Sequence, residues 1–112
     1  MHRTIIAATA WICLATVAQA AEPIEGNWKT ANGHTAQIAA CGSAFCVTLK
    51  SGRYGGKQIG RMSGTGASYN GEITDPETDK TYSGSGAVTG DTLKMRGCVL
   101  KILCKSQTWT RL

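Results

Sequence analysis

The strongest constraint on the fold is a succession of short segments in which apolar and polar residues alternate, separated by turns rich in glycine. A period of two places every second side chain on one face of an extended strand, whereas a helix needs apolar residues three or four positions apart. From Ile24 onward the segments recur at roughly ten-residue spacing, and none has the helical period. The pattern predicts an all-β domain of about eight short antiparallel strands.

The turns between the predicted strands are marked with different clarity. Asn32-Gly33 is a strong hairpin signal between the first two strands, and Thr89-Gly90-Asp91 and the polar run 75–80 mark later turns. Several glycines blur the ends of the fourth strand. The predicted strands cover residues 24–31, 34–40, 45–50, 57–63, 69–73, 82–88, 92–99 and 106–112.

Eight short antiparallel strands can pack as a sandwich or close into a barrel, and glycines on the predicted inner face favour the barrel. A residue without a side chain permits sharp coiling and close approach of neighbouring strands. The alternative is that these glycines only relieve crowding in a flatter sheet. They are Gly26, Gly71, Gly84, Gly86 and Gly97. We therefore expect a small closed or nearly closed barrel.

The interior of such a barrel is only just wide enough for its own side chains or for one small ligand. A large internal lipid pocket is therefore not expected. The side chains predicted to fill the interior are Ile24, Trp28, Ile38, Val47, Leu49, Ile59, Tyr69, Ile73, Tyr82, Val88, Leu93, Met95 and Trp109.

The two ends of the chain predict how the barrel closes. Gly26 and Trp28 open the first strand, Trp109 and Arg111 end the last, and these strands are neighbours in a closed barrel. Trp28 and Trp109 can then share one end of the core, with the Arg111 guanidinium lying across the Trp28 ring as a structural closure. The alternative is that Arg111 is a solvated terminal charge.

Residues 1–20 have the three parts of a cleavable export signal. Arg3 supplies the basic start, residues 5–17 the apolar run, and Ala18-Gln19-Ala20 the small-x-small cleavage site. Cleavage near Ala20/Ala21 removes one positive charge from a formal net charge of +5 and leaves a single β-barrel domain over 21–112. No later apolar run reaches the ~20 residues that span a bilayer. We expect a periplasmic or secreted protein without a transmembrane segment after signal removal.

Export determines how the cysteines are interpreted. Cys13 leaves with the signal, and the even number that remains in a short exported chain is typical of disulfides. The spacing favours the pairs Cys41 with Cys46 and Cys98 with Cys104. A crossed pairing and a zinc site built from the four thiolates are the alternatives.

No arrangement of catalytic residues is recognisable. His34 is the only histidine after the signal, has no carboxylate close in sequence, and is expected to face solvent. Ser85 lies between glycines without the strand-to-helix turn of a nucleophile. Asp75, Glu77 and Asp79 alternate like a calcium loop but lack its glycine and its bidentate glutamate. We therefore predict a protein that is not an enzyme, with no metal and no cofactor.

The segment between the last two cysteines is the candidate contact site. Its apolar side chains are Leu100, Ile102 and Leu103, with Lys101 and Lys105 beside them. An exposed tip of this kind can insert into an anionic lipid surface or dock on an acidic partner. The alternative, which we favour, folds the loop over the barrel mouth as a plug that adds to a small core. Basic residues are spread along the chain without interleaved aromatics, so nucleic-acid binding has no specific support.

Several stretches resemble known families. Gly26-x-Trp28 with a late Arg111 resembles the lipocalin or calycin pattern. In finer detail the chain is similar to the bacterial family called domain of unknown function 2147; the matching stretches are 23–28, 41–46, 71–76, 80–83, 90–98 and 106–111. The resemblance implies a secreted or periplasmic lipocalin-like barrel and brings no known activity and no catalytic residues. Family members usually have a longer insertion between Lys50 and Ser68, where this chain has a short glycine-rich link.

Three classes of function follow from this sequence. The favoured one is a non-enzymatic binding or interaction module for a small apolar ligand or an anionic cell-envelope component. The alternative is a periplasmic protein inhibitor of a hydrolase, although positive charge disfavours basic lysozymes as its target. An enzyme is the least expected. An apolar pocket favours the first, a protruding loop over a filled core the second, and a cleft with converging carboxylates the third.

Overall fold

The computed structural model describes residues 21–99 and 103–112; the predicted signal and residues 100–102 lie outside the described residues. The described chain is all-β, as predicted, and within it there is no helix of the length and apolar character needed to cross a membrane. The strands are β1 (Gly26–Lys29), β2 (Thr35–Cys41), β3 (Ala44–Leu49), β4 (Gln58–Thr65), β5 (Ser68–Asp75), β6 (Lys80–Thr89), β7 (Thr92–Val99) and β8 (Leu103–Arg111).

The sheet closes on itself. Each strand pairs antiparallel with the next along the chain, and β8 returns to pair with β1. The closing ladder is short, because only Trp28 with Arg111 and Lys29 with Thr110 are partners in it. The closed barrel is thus confirmed, and the alternatives of a sandwich or a flatter sheet are wrong.

One of the inward glycines is required by the approach of β4 to β5. A Cβ atom at Gly71 would collide with the main chain of Arg61 and would lie 2.8 Å from the Cα atom of Met62. Only a residue without a side chain fits there. A β-bulge at Val47/Thr48, where β3 meets β4, adds curvature to the same wall.

The core is one apolar cluster inside the barrel. The predicted core residues are buried, except that Ile73 and Tyr82 are half-buried. Met62 is fully buried but was absent from the prediction. Its strand contains two glycines, Gly60 and Gly64, and its register with β3 shifts opposite Val47/Thr48, so local alternation does not reveal which of its residues point inward.

The two disulfides join neighbouring strands. Cys41–Cys46 links β2 to β3, and Cys98–Cys104 links β7 to β8. The local pairing is therefore confirmed and the crossed pairing is wrong. Because each sulfur is bonded to another sulfur, the four cysteines do not form the alternative zinc site.

Candidate ligand-binding site at the open end of the barrel

One end of the barrel, which we call the closed end, is covered by residues 23–25, just before β1, and by Arg111 at the end of β8. Trp28 is fully buried and its indole Nε1 donates a hydrogen bond to the carbonyl oxygen of Ile24 at 2.9 Å. The Arg111 guanidinium carbon lies 4.2 Å from the centroid of the Trp28 ring. Its Nη1 and Nη2 donate to the carbonyl oxygens of Glu25 at 3.0 Å and Pro23 at 2.6 Å. Arg111 is thus held across Trp28 rather than solvated.

The other two residues predicted for closure lie on either side of this contact. Gly26 leaves room for Arg111, since a Cβ atom there would stand 2.9 Å from its Nη1. Trp109 is buried in the same core cluster as Trp28. It also faces the opposite end of the barrel, where it forms part of a cavity.

The opposite end, which we call the open end, has a rim of unequal height. β8 is nine residues long, but only its last two residues, Thr110 and Arg111, pair with β1. The strands β5 to β8 therefore continue past the β1–β2 turn and form a high wall. Residues 50–57 connect β3 to β4 at this end, and a salt bridge of 3.5 Å from Lys57 Nζ to Asp79 Oδ1 ties them to the β5–β6 turn.

A cavity of about 230 Å³ lies at the open end, with an apolar floor and a polar rim. The floor and walls are formed by the side chains of Leu49, Tyr54, Ile59, Ile73, Tyr82, Met95 and Trp109. The polar residues that line it are Thr30, Asn32, His34, Ser51, Arg53, Thr74, Asp75, Glu77, Lys105 and Gln107. Such a lining suits a ligand with an apolar part and a polar part.

Two aromatic side chains of this cavity have defined contacts within the sheet. Trp109 and Gln107 share a face of β8 because they are two residues apart, and the Trp109 indole Nε1 donates to Gln107 Oε1 at 3.0 Å. Tyr82 lies against Gly97 of β7, where an added Cβ atom would be 3.1 Å from the Tyr82 Cβ atom. A side chain at position 97 would therefore require Tyr82 to shift.

His34 is half-buried and lines the rim of the cavity, a placement that the sequence did not predict. Its ring packs on Gly52, where an added Cβ atom would come within 2.7 Å of the imidazole. Thr30 organises the turn before it, because its Oγ1 accepts the His34 amide at 3.1 Å and donates to Asn32 Oδ1 at 2.6 Å. Sequence reasoning missed this placement because it depends on where the β1–β2 hairpin ends relative to the high wall.

The acidic run forms the β5–β6 turn, as predicted. Asp75 Oδ1 accepts the backbone amide of Glu77 at 2.9 Å, the geometry of an Asx turn. Both residues line the rim of the cavity, whereas Asp79 pairs with Lys57. Within the described ranges no three His, Cys, Asp or Glu side chains come together in a group that could hold a metal ion.

The predicted contact segment is described in part. Leu103 is 69% exposed, and Lys105 is exposed and lines the cavity. Leu100, Lys101 and Ile102 lie outside the described residues, so the choice between a plug and a contact loop stays a prediction.

Sequence reasoning missed Arg53, Tyr54 and Gln107. Arg53 lies over the Tyr54 ring, with its guanidinium carbon 5.6 Å from the centroid, in the stretch interpreted as a glycine-rich link. Gln107 shares its parity with Trp109 and Lys105, and that signal could have placed it at the cavity.

The comparisons with known proteins give a family without an assigned activity. A family model described as an uncharacterised protein conserved in bacteria (DUF2147) matches residues 50–111, which is more than half of the chain and includes β4 to β8. No curated protein and no solved structure matches the chain.

Proposed function

Because the chain belongs to DUF2147, a bacterial family whose description names no activity, we propose a function from the geometry of the open end. The protein is a non-enzymatic binding module for a small amphipathic ligand with an anionic headgroup. The observation that carries the proposal is the cavity with an apolar floor at Trp109 and a charged rim.

The size of the cavity limits the ligand. Small-molecule sites usually occupy about 300–1,000 Å³, and an apolar cavity of about 150 Å³ accommodates benzene. A volume of about 230 Å³ therefore admits a short acyl chain or a single ring but is too small to enclose a long lipid chain.

The floor supplies the affinity. Met95 and Trp109 are 4% exposed and Ile59 is 7% exposed, so they present small apolar areas at the base of the cavity, whereas the half-buried Ile73 and Tyr82 present more. Each buried methylene group contributes about 0.8 kcal/mol, or roughly a fourfold gain in affinity. This gain should stop once the apolar part of the ligand fills the cavity.

The rim supplies the preference for a headgroup. Arg53 and Lys105 are its cations, and Asp75 and Glu77 its carboxylates. The whole exported chain carries an excess of positive charge, which raises the local concentration of anions at its surface. We therefore expect a carboxylate or another small anion to be preferred over a neutral head of the same size.

The proposal includes a periplasmic or secreted location. Two disulfides in a small domain are typical of oxidising compartments, and residues 1–20 have the pattern of an export signal. Mass spectrometry of protein exported from bacterial cells, with an N-terminus at residue 21, would support this location. Retention of residues 1–20 in the mature protein would contradict it.

Calorimetric titration of the exported chain with straight-chain carboxylates tests the binding function. The affinity should rise roughly fourfold per methylene group over the shorter chains and then level off. Octanol should bind more weakly than octanoate. Lys105→Gln should weaken octanoate by about two- to fivefold, as expected for one exposed charge, whereas Lys94→Gln on the outer face of β7 should not. Affinities that do not depend on chain length would contradict the proposal.

The second candidate is the hydrolase inhibitor. The observation in its favour is the exposed Leu103 at the open end, an apolar side chain that a partner protein could cover. Inhibition of a hydrolase that is lost in Leu103→Ser and kept in Lys105→Gln would support this candidate.

A further inference from the structure

We propose that the Cys41–Cys46 disulfide is a site of thiol–disulfide exchange with small anionic thiols, and that Arg61 activates it. Nη1 of Arg61 lies 3.8 Å from the sulfur of Cys41 and 3.9 Å from the sulfur of Cys46. One guanidinium therefore stands beside both atoms of the bond. The site is on the outer face of the barrel and is independent of the ligand cavity.

The sheet fixes this contact. Arg61 is the direct partner of Cys46 in the ladder between β3 and β4. In the ladder between β2 and β3, Cys46 is the partner of Ala39 and Cys41 is the partner of Ala44. The disulfide therefore joins the two strands diagonally, next to the β2–β3 turn. Arg61 is on the same outer face because direct partners in a ladder point to the same side of the sheet.

Arg61 also has an acidic neighbour that it does not contact. Glu72 is the direct partner of Arg61 on the other side, in β5. In the described part of the chain, the ion pairs are Lys57–Asp79 and Arg111–Asp91, and neither involves Arg61. The guanidinium is directed toward the sulfurs rather than toward the carboxylate.

In the described part of the chain, the second disulfide has no such neighbour. Among the described residues, no side-chain nitrogen lies within hydrogen-bond distance of the sulfur of Cys98 or Cys104. Both disulfides are on strands of the same sheet and all four cysteines are half-buried. Cys98–Cys104 is therefore an internal control for exposure and compartment.

The exchange step needs no outside oxidant. The thiolate of the small molecule attacks one sulfur, a new disulfide forms between them, and the bonding electron pair of the old disulfide leaves with the other sulfur as a thiolate. Stabilising the departing thiolate speeds the exchange, and a cation beside it does so. Because Arg61 is almost equidistant from the two sulfurs, it stabilises the departing thiolate whichever one is attacked.

The same charge selects the co-reactant. Glutathione carries carboxylates that are attracted to the guanidinium in addition to its thiolate. Mercaptoethanol has no charged group other than its thiolate, so the guanidinium attracts it less strongly. The product is the small molecule in mixed disulfide with Cys41 or Cys46, with the other cysteine free as a thiolate.

The rate of exchange in the oxidised exported chain tests the proposal. The chain is incubated with glutathione at about pH 8, where a fraction of the thiol is ionised, then quenched in acid and alkylated. Peptide mass spectrometry then follows each disulfide separately. Cys41–Cys46 should open faster than Cys98–Cys104. Arg61→Gln should slow it by about two- to fivefold, the effect of one exposed charge, and Arg61→Lys should restore part of the rate.

The controls separate the local contact from the net charge and from loss of structure. Lys94→Gln makes the same change of charge on β7 and should leave both rates unchanged. In wild-type protein, about 1 M NaCl should slow the opening of Cys41–Cys46 more than that of Cys98–Cys104, because salt screens an exposed charge. Equal rates for Cys41–Cys46 in wild type and Arg61→Gln, or an equal effect of salt on the two disulfides, would overturn the proposal.

Discussion

Replacing Arg111 by Met should destabilise the barrel by about 3 kcal/mol. Methionine keeps much of the apolar stem and removes the charge and the donors. The lost contacts are the guanidinium over the Trp28 ring, the hydrogen bonds to the carbonyl oxygens of Glu25 and Pro23, and the salt bridge to Asp91. All four come from a side chain that is 30% exposed.

The magnitude is a sum of unequal parts. A cation over an indole ring at partial exposure contributes about 1 kcal/mol. The hydrogen bond to Glu25 is partly buried and contributes about 1.5 kcal/mol, while the bond to Pro23 is exposed and contributes about 0.5 kcal/mol. Asp91 is 87% exposed, so its salt bridge adds at most about 0.5 kcal/mol. A total of about 3 kcal/mol is a large share of the roughly 5–15 kcal/mol by which small domains are stable.

Urea unfolding with the disulfides intact measures this loss. Arg111→Lys keeps a cation over Trp28 but has no fork of donors, so it should lose about 1–2 kcal/mol. Asp91→Asn should lose less than about 0.5 kcal/mol. A change below about 1 kcal/mol in Arg111→Met, or a loss in Asp91→Asn as large as in Arg111→Met, would refute the reasoning.

Two further substitutions test the interior. The Tyr69 hydroxyl is buried near the backbone of Ile24 without a hydrogen bond of good geometry among the described residues, so Tyr69→Phe should keep or raise the stability, by up to about 1 kcal/mol in urea unfolding; a loss of stability would contradict this. Burial, with a smaller effect of Glu22, raises the pKa of Tyr69 above 10.0. The stability that the neutral Tyr69 contributes is fully present below its pKa in the unfolded chain and is lost as the pH rises through its pKa in the folded protein. Tyr69→Phe should therefore lose less stability above pH 10.0 than wild type. Gly71→Ala should cost about 3 kcal/mol or more, because its Cβ atom meets main chain. Gly66→Ala has open space at φ 65° and should cost about 1–2 kcal/mol; equal thermal shifts for the two alanine variants would contradict the account.

The closure of the barrel could be predicted from sequence because it depends only on which alternate residues face the core and on the first and last strands being adjacent. Trp28 and Arg111 are on the first and last strands, which must be adjacent in a closed barrel, and every second residue faces the core. The local disulfides were predictable for the same reason, since each pair spans one short hairpin.

The candidate sites depend on register and strand length, which local patterns do not contain. His34 reaches the cavity because the β1–β2 hairpin is shorter than the wall from β5 to β8. The contact of Arg61 with the sulfurs depends on Arg61 being opposite Cys46, and a shift of one residue would turn it to the other face. Met62 was missed because a bulge and glycines interrupt the alternation of its strand.

The most direct test of the proposed function is a titration of residues 21–112 with octanoate, followed through the indole N–H signals by nuclear magnetic resonance. Residues 21–112 contain two tryptophans, Trp109 at the floor of the cavity and Trp28 at the closed end. Binding in the cavity should shift the Trp109 signal in a saturable manner and leave the Trp28 signal in place. An unchanged Trp109 signal at saturating octanoate, or equal shifts of both signals, would contradict a ligand site at the open end.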